Sequence, residues 1–387
     1  MTFATLALIG AVAVLGPLLA LPRGWSLPVV LGELLGGIAL GRTGLDLLPA
    51  HDPTFTFLAD LGFALVMFVA GSHVPVRDTR LRAALPAGVL RALGVGAVAA
   101  VFGVVLATLS GTGHAPLYAV LMASSSAALV LPVVDSVHLG GAPVLALLPQ
   151  VAIADAACIV ALPLAVDPSH AGRAGLGALA VLSAAAVLFA LLWYLERSGL
   201  RHRAHRVSEE RKFALELRTQ LVLLFALAAL AVGTHVSIML AGFSFGLAVA
   251  AVGEPRRLAR QLFAVTEGFL GPVFFVWLGA SLDLRELGRH PALIGLGAAL
   301  GAGAVLAHLA MRLTGQPAPL AGLAAAQLGV PVAAATIGAR TGLLRPGEPA
   351  ALLLGALLTI AVAVASASLA ARRGLVEDAA AAGSVPP

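Results

Sequence analysis

The sequence predicts an all-α membrane protein of about thirteen transmembrane helices, arranged as two inverted-topology six-helix repeats. Three observations carry this prediction. Hydrophobic residues make up 60% of the chain and charged residues 11%, with a mean hydropathy of +1.00, a balance foreign to a soluble domain of this length. Continuous apolar runs rich in Ala, Leu and Gly recur along the chain. They have the length that a bilayer core of about 30 Å demands of a helix, and they lack the alternation of a barrel strand. The basic residues fall on alternate loops, as they do when every second loop faces the cytoplasm.

The segments follow from apolar runs bounded by Gly, Pro, His and Arg. They are about 3–21, 27–45, 55–74, 84–109, 115–138, 142–166, 174–195, 213–233, 236–252, 259–282, 291–313, 318–342 and 349–371. The first lacks a basic leader and reads as a retained helix, not a cleaved signal. The longest polar loop, 196–212, joins the two halves. Loops after odd-numbered segments and the tail hold sixteen basic residues, among them Arg77, Arg80, Arg82, Arg256, Arg257 and Arg260, against six after even-numbered ones. The N-terminus is therefore expected outside and the C-terminus in the cytoplasm. The net charge of +5 and pI near 10.5 reflect these loop arginines, with no nucleic-acid partner implied. The single cysteine, Cys158, excludes internal disulfides.

Comparing the halves shows a repeat at an offset of seven segments. LGELLGGIA at 31–39 matches LAGFSFGLA at 240–248, and FVAGS at 68–72 matches FVWLGAS at 275–281. Segment 5 carries small polar residues and Pro132, and segment 12 carries Gln327, Gly329 and Pro331. An odd offset turns the second copy upside down, the design of secondary transporters. The domain reading is one transmembrane unit over 1–373, with repeat one at about 1–166, a linker helix at about 174–195 and repeat two at about 213–371, then a short cytoplasmic tail at 374–387.

Chemistry centres on Asp155. It lies in Ala142–Val166 with no other ionisable side chain except the Cys158 thiol, and a carboxylate in a membrane helix costs roughly 2.5–3.5 kcal/mol on insertion scales. It can be buried and neutral, salt-bridged, or ion-binding. The ion-binding reading leads, because one oxygen group that holds either a proton or a cation is the minimal chemistry of antiport. Segments 5 and 12 read as interrupted helices: ASSSAA with Ser124, Ser125 and Ser126 precedes Pro132, and Gln327 precedes Pro331. Proline frees backbone carbonyls that an ion site can use; the plainer alternative is a proline kink with serines bonded to their own helix. His308, within segment 11, is either a packing residue or a titratable partner that senses pH and opposes cation binding when charged. Asp60 and Glu267 are secondary candidates. Glu33 and Glu267 are read first as inter-helix or helix-end partners of Arg91 or Arg218, and Asp135 and Asp283 fall at segment ends, where charge is cheap. No nucleotide-binding glycine pattern, CxxC or paired-His spacing occurs, so neither an enzyme nor a cofactor is expected.

These motifs resemble a known family. PVVLGELLGGIALGRTGLDLL at 28–48 looks like the "PxVLGELLAGILLGPxGLGLI" opening of Kef/Nap-type monovalent cation:proton antiporters, the second cation:proton antiporter family. LADLGFALVMFVAG at 58–71 is similar to its "LxELGxxLLLFxxG", and EGFLGPVFFVWLGASLDL at 267–284 to its "xPFxxxFFxxxGxxxDL". The resemblance implies a sodium/hydrogen exchanger fold with two crossing broken helices and a homodimer built near segments 1–3, 7 and 8–10. It also implies an essential aspartate on the sixth helix, matched by Asp155. Two positions depart from the pattern: Ala154 replaces a polar residue, and His308 stands where a lysine is usual. With the sequence stopping near residue 387, the nucleotide-binding regulatory domain of Kef proteins is not expected. The expected function is exchange of Na⁺ or K⁺ for protons in a bacterial inner membrane. A same-fold organic-anion transporter and a non-transporting, channel-like relic are the alternatives.

Overall fold

A computed structural model describes residues 1–20, 29–74, 76–77, 79–168, 171–199, 213–253, 256–282 and 284–375. Helices account for nearly all of it: α1 (Phe3–Ala20), α2 (Val29–Leu40), α3 (Pro53–Ser72), α4 (Thr79–Ser110), α5 (Ala115–Ala123), α6 (Ala127–Ser136), α7 (Ala142–Val166), α8 (Ala171–Arg197), α9 (Leu215–Gly233), α10 (Ile238–Val252), α11 (Arg256–Val265), α12 (Gly271–Ser281), α13 (Leu284–Arg289), α14 (Pro291–Leu309), α15 (Ala318–Ala324), α16 (Gly329–Thr341) and α17 (Glu348–Arg372). Among the described residues nine helices have the length and apolarity to cross a membrane. Four shorter apolar stretches, Phe3–Leu19, Val29–Leu40, Ala115–Leu131 and Ile238–Val252, occupy the places of segments 1, 2, 5 and 9. The polar join at 196–212 lies largely outside the described residues, as does Asp283.

The chain divides into two compact units that cut across the repeats. Unit 1 takes α1–α3 and α8–α12. Its helix starts are chemically marked: Asp52 accepts the N–H groups of Thr54 (2.9 Å) and Phe55 (3.1 Å) ahead of Pro53, and Ser237 accepts that of Met239 at 3.2 Å, which satisfies first-turn donors. Within the unit α2 packs on α12, and α10 packs on α3. These two crossings pair the same motifs that form the sequence repeat. A Cβ on Gly37 of α2 would lie 2.3 Å from the Val276 carbonyl oxygen, and one on Gly246 of α10 would lie 2.1 Å from that of Phe68. Each repeat thus lends its second helix to the third helix of the other, backbone to backbone, the way membrane helices associate when no hydrophobic force draws them together. Phe63 stacks on Phe274 at 4.7 Å, and Phe68 meets Phe245 at 5.2 Å.

Segment 10 is not one regular helix. A π-turn at Thr266–Leu270 separates α11 from α12. Pro272 has no N–H to return to Gly268, and the wider π ladder absorbs that missing bond.

Unit 2 takes α4–α7 and α13–α17. Here the long helices pair within each repeat. α4 lies on α7, where a Cβ on Gly88 would meet Pro149 and Gln150, and α14 lies on α17, where Gly297 and Gly301 meet the Ala351 and Gly355 backbones. Segments 5 and 12 are interrupted, at 124–126 and 325–328. The first break sits at the serines, and Pro132 falls inside α6, several residues later than a proline-driven break would place it. Pro331 occupies the first turn of α16, where a missing N–H costs nothing.

Candidate functional site

Unit 2 brings α5, α6, α15 and α16 against α7, the helix that carries Asp155. α5 stops at Ala123 because Ser124 turns extended (φ −70°, ψ 150°). The Ser124 hydroxyl then donates to the Leu121 carbonyl at 2.8 Å, as a serine bonded back to its own helix does. Ser126 opens α6 with its carbonyl, accepting from Leu129 N–H at 3.1 Å and Val130 N–H at 2.9 Å. One N–H further, Ala127 donates to Asp155 Oδ2 at 2.9 Å. The carboxylate of α7 therefore caps a helix to which it does not belong, at the end where backbone N–H groups and the helix dipole face an anion. Asp155 is 6% exposed, and no basic side chain pairs with it among the described residues. That removes the salt-bridged reading.

The two breaks are tied to each other by a reciprocal exchange. Gln327, in the second break, donates its Nε2 to the Leu121 (2.6 Å) and Ser124 (3.4 Å) carbonyls at the end of α5. Ser125, in the first break, donates to the Ala324 carbonyl at the end of α15, at 2.5 Å. Each interrupted helix thus has its orphan carbonyls satisfied by the other. A second correspondence was missed in the sequence. Gln327 N–H donates to Thr359 Oγ1 at 3.2 Å, so Thr359 on α17 serves the second break as Asp155 on α7 serves the first. The signal was present, since the seven-segment offset places segment 13 opposite segment 6.

Sequence reasoning also missed Glu348. Fully buried at the start of α17, it accepts from Tyr118 Oη and His114 Nδ1, both at 2.7 Å, and from Arg345 N–H at 3.0 Å. This ties the start of α5 to the start of α17.

The remaining candidates lie apart from these bonds. His308 is buried (1% exposed) and donates Nδ1–H to the Ala304 carbonyl of its own helix at 2.9 Å. No hydrogen bond or ion pair joins it to Asp155 among the described residues. Asp60, half-buried on α3, and Glu267, on the π-turn, belong to unit 1. The expected ion pairs of Glu33 and Glu267 with Arg91 or Arg218 are not formed among the described residues. Arg91 is in unit 2 and donates to Thr314 Oγ1 at 3.1 Å instead.

Replacing Gln327 by Leu tests the tie between the breaks. It keeps the volume roughly and deletes the donor to two buried carbonyls, a loss of about 1–3 kcal/mol. A thermal midpoint in detergent equal to that of the wild type would remove Gln327 from this role.

Against this geometry, comparison with known proteins is decisive. The model of the transmembrane sodium/hydrogen exchanger family matches residues 10–376. The chain belongs to that family. The exchanger fold is also that of the sodium proton antiporter of Methanocaldococcus jannaschii, solved at pH 8, with a TM-score of 0.63 over 96% of this chain and 97% of that one. At 18% identity the likeness is one of fold. YjbQ of Bacillus subtilis (strain 168), whose name assigns it provisionally as an Na(+)/H(+) antiporter, is 27% identical over 300 residues, 73% of this chain and 48% of its own. The glutathione-regulated potassium-efflux system protein KefC of Klebsiella pneumoniae (strain 342) is 28% identical over 271 residues, 68% of this chain and 42% of its own. This exchanger-family chain spans about half the length of the curated relatives it matches.

Proposed function

We propose that the chain exchanges a monovalent cation, Na⁺ or K⁺, for protons by alternating access, with Asp155 holding proton and cation in turn. The observation that carries this reading is the Asp155 carboxylate itself: buried, without a basic partner among the described residues, and set at the break of α5 and α6. A carboxylate with no fixed counter-charge must take its compensating charge from a mobile one, and a proton and a monovalent cation compete for the same oxygens. The interrupted helices beside α7 add backbone carbonyls, each with a second lone pair, which are hard ligands suited to such a cation. Kinship with proteins named for sodium–proton exchange and potassium efflux supports the same class. The test is cation-driven pH change inside proteoliposomes bearing the full chain, with choline as the control salt. No pH change with Na⁺ or K⁺ beyond that of choline would refute the exchange.

The finer points are part of the same proposal. The membrane is a bacterial inner membrane, with the N-terminus outside and the C-terminus in the cytoplasm, following the loop arginines; a C-terminal reporter active only on the outer face would reverse that. The protein is a homodimer formed through unit 1, which contains the segments that the family resemblance assigns to that surface. A monomeric mass in both mild detergent and lipid would count against it.

His308 bears on stoichiometry. Its bond to Ala304 within its own helix fits a packing role, which leaves Asp155 alone to carry charge. One cation then replaces one proton, and no net charge moves. Transport at a clamped membrane potential should show no voltage dependence. The sign of a titrating His308 is also fixed: imidazolium opposes cation binding, so activity would rise with pH over about pH 6–8 as the charge is lost. A voltage-dependent rate, or a pH profile, that His308→Ala abolishes would make the histidine a second coupled group.

A further inference from the structure

Unit 1 holds a cavity of about 310 Å³ between α1, α2 and the π-turn that leads into α12. Its walls are apolar, with Ala13 and Pro17 from α1, Val29 from α2 and Pro272 from α12; the carboxylates are Glu33 and Glu267, and among the described residues no Arg, Lys or His lines it. Glu33 is 4% exposed and makes no hydrogen bond or ion pair among the described residues. Its stem is held against α1, since a Cβ on Gly16 would lie 3.0 Å from Glu33 Cγ. Glu267 stands within electrostatic reach of it, on the five-residue π-turn, a ladder defect of the kind proteins keep at functional positions. Two acidic groups thus line one apolar space with nothing of opposite sign in its wall among the described residues. A buried carboxylate in that condition takes up a proton or draws a positive partner from outside the chain, and a proton would leave the apolar space unfilled.

The size of the space decides which partner. A water molecule occupies about 30 Å³ of liquid, so a bare monovalent ion would leave most of the apolar wall unfilled. A cavity at the lower end of the usual ligand range, about 300 Å³, fits a cation that carries its own apolar body. We propose that this cavity binds a primary ammonium group attached to a hydrocarbon chain, the nitrogen between Glu33 and Glu267 and the chain along Ala13, Pro17, Val29 and Pro272. A three-donor ammonium suits two acceptor-only carboxylates, and charge-assisted bonds of this kind are the strong ones. A free alkylamine carries such a group, and an aminophospholipid headgroup carries the same ammonium on a two-carbon stem ahead of its phosphate. The site uses no residue of the Asp155 region and stands whether or not exchange occurs there.

The experiment uses the purified full chain in mild detergent, with octylammonium as the probe and 1-octanol as the uncharged control of equal tail. Octylammonium should raise the thermal midpoint and show saturable heat on titration, and octanol should do neither. Glu267→Gln and Glu33→Gln should each weaken octylammonium about tenfold, the scale of one charge-assisted contact, whereas Asp155→Asn should bind it as the wild type does. If Glu33→Gln does not fold, Glu267→Gln, at the exposed edge of the cavity, still decides. Equal effects of octanol and octylammonium, or an octylammonium effect untouched by Glu267→Gln, would overturn the proposal. Mass spectrometry of the chain released from vesicles of phosphatidylethanolamine and phosphatidylglycerol separates the sources. Preferential retention of phosphatidylethanolamine, lost in Glu267→Gln, assigns the site to lipid; octylammonium binding with no lipid preference assigns it to a free amine.

Discussion

Asp155→Asn abolishes cation-dependent proton movement and leaves the protein folded: this is the expected result with the largest effect on function. The reasoning lies in the Ala127 N–H. The carboxamide oxygen of Asn accepts that bond as the carboxylate does, and Asn and Asp are near-equal helix caps. The start of α6 should therefore hold, with a thermal midpoint close to the wild type. What the carboxamide cannot do is take up a proton or balance a cation, so exchange should fall to that of empty liposomes. Asp155→Ala separates the two roles. It loses the charge and the cap together, and should cost about 0.5–2 kcal/mol of stability as well. Wild-type exchange rates in Asp155→Asn would end the proposal that Asp155 is the alternating ligand; a gross loss of folding in that variant would show that the cap needs the charge.

Asp155 stands out in the sequence as a candidate because a lone carboxylate in an apolar run has few bland explanations, and its bond to the Ala127 N–H was not legible there. The interruptions of segments 5 and 12 were legible too, from Ser124, Ser125, Ser126 and Gln327, but Pro132 does not mark the first of them. A proline forbids one hydrogen bond, and α6 accommodates Pro132 within its length, while the chain actually leaves the helix where Ser124 turns extended. Partners were the least legible feature. Nothing local says that the Gln327 amide reaches Leu121, or that Thr359 takes the Gln327 N–H, because both depend on which helices cross. The same ignorance misled the charge pairing: Glu33 and Arg91 look complementary in sequence, yet they fold into different compact units. The repeat fared better, because its evidence is steric. Gly37 of LGELLGGIA and Gly242 and Gly246 of LAGFSFGLA sit where two backbones meet, and only a residue without a side chain satisfies that requirement.

Those glycines support the largest expected effect on the fold. Gly37→Val places a Cβ 2.3 Å from the Val276 carbonyl oxygen, and Gly246→Val places one 2.1 Å from that of Phe68. Both distances are well inside van der Waals contact. The opposing atoms are backbone, which cannot swing aside like the tip of a side chain, so α2 must move off α12 and α10 off α3. Overpacking of this kind costs about 1–3 kcal/mol when side chains can yield, and more is expected where only whole helices can. Each variant should unfold well below the wild type in detergent, or fail to accumulate in the membrane. Gly37→Ala, with the same Cβ and nothing beyond it, should show a smaller loss of the same kind. Gly96→Ala is the counter-case. A Cβ there meets nothing within 4 Å, and alanine is the better helix former by about 1 kcal/mol, so that variant should be at least as stable as the wild type. The contrast separates close approach from a general intolerance of glycine replacement. If Gly37→Val and Gly246→Val melted with Gly96→Ala, the backbone crossings would not be what fixes α2 and α10, and the structural meaning of the repeat would fall with them.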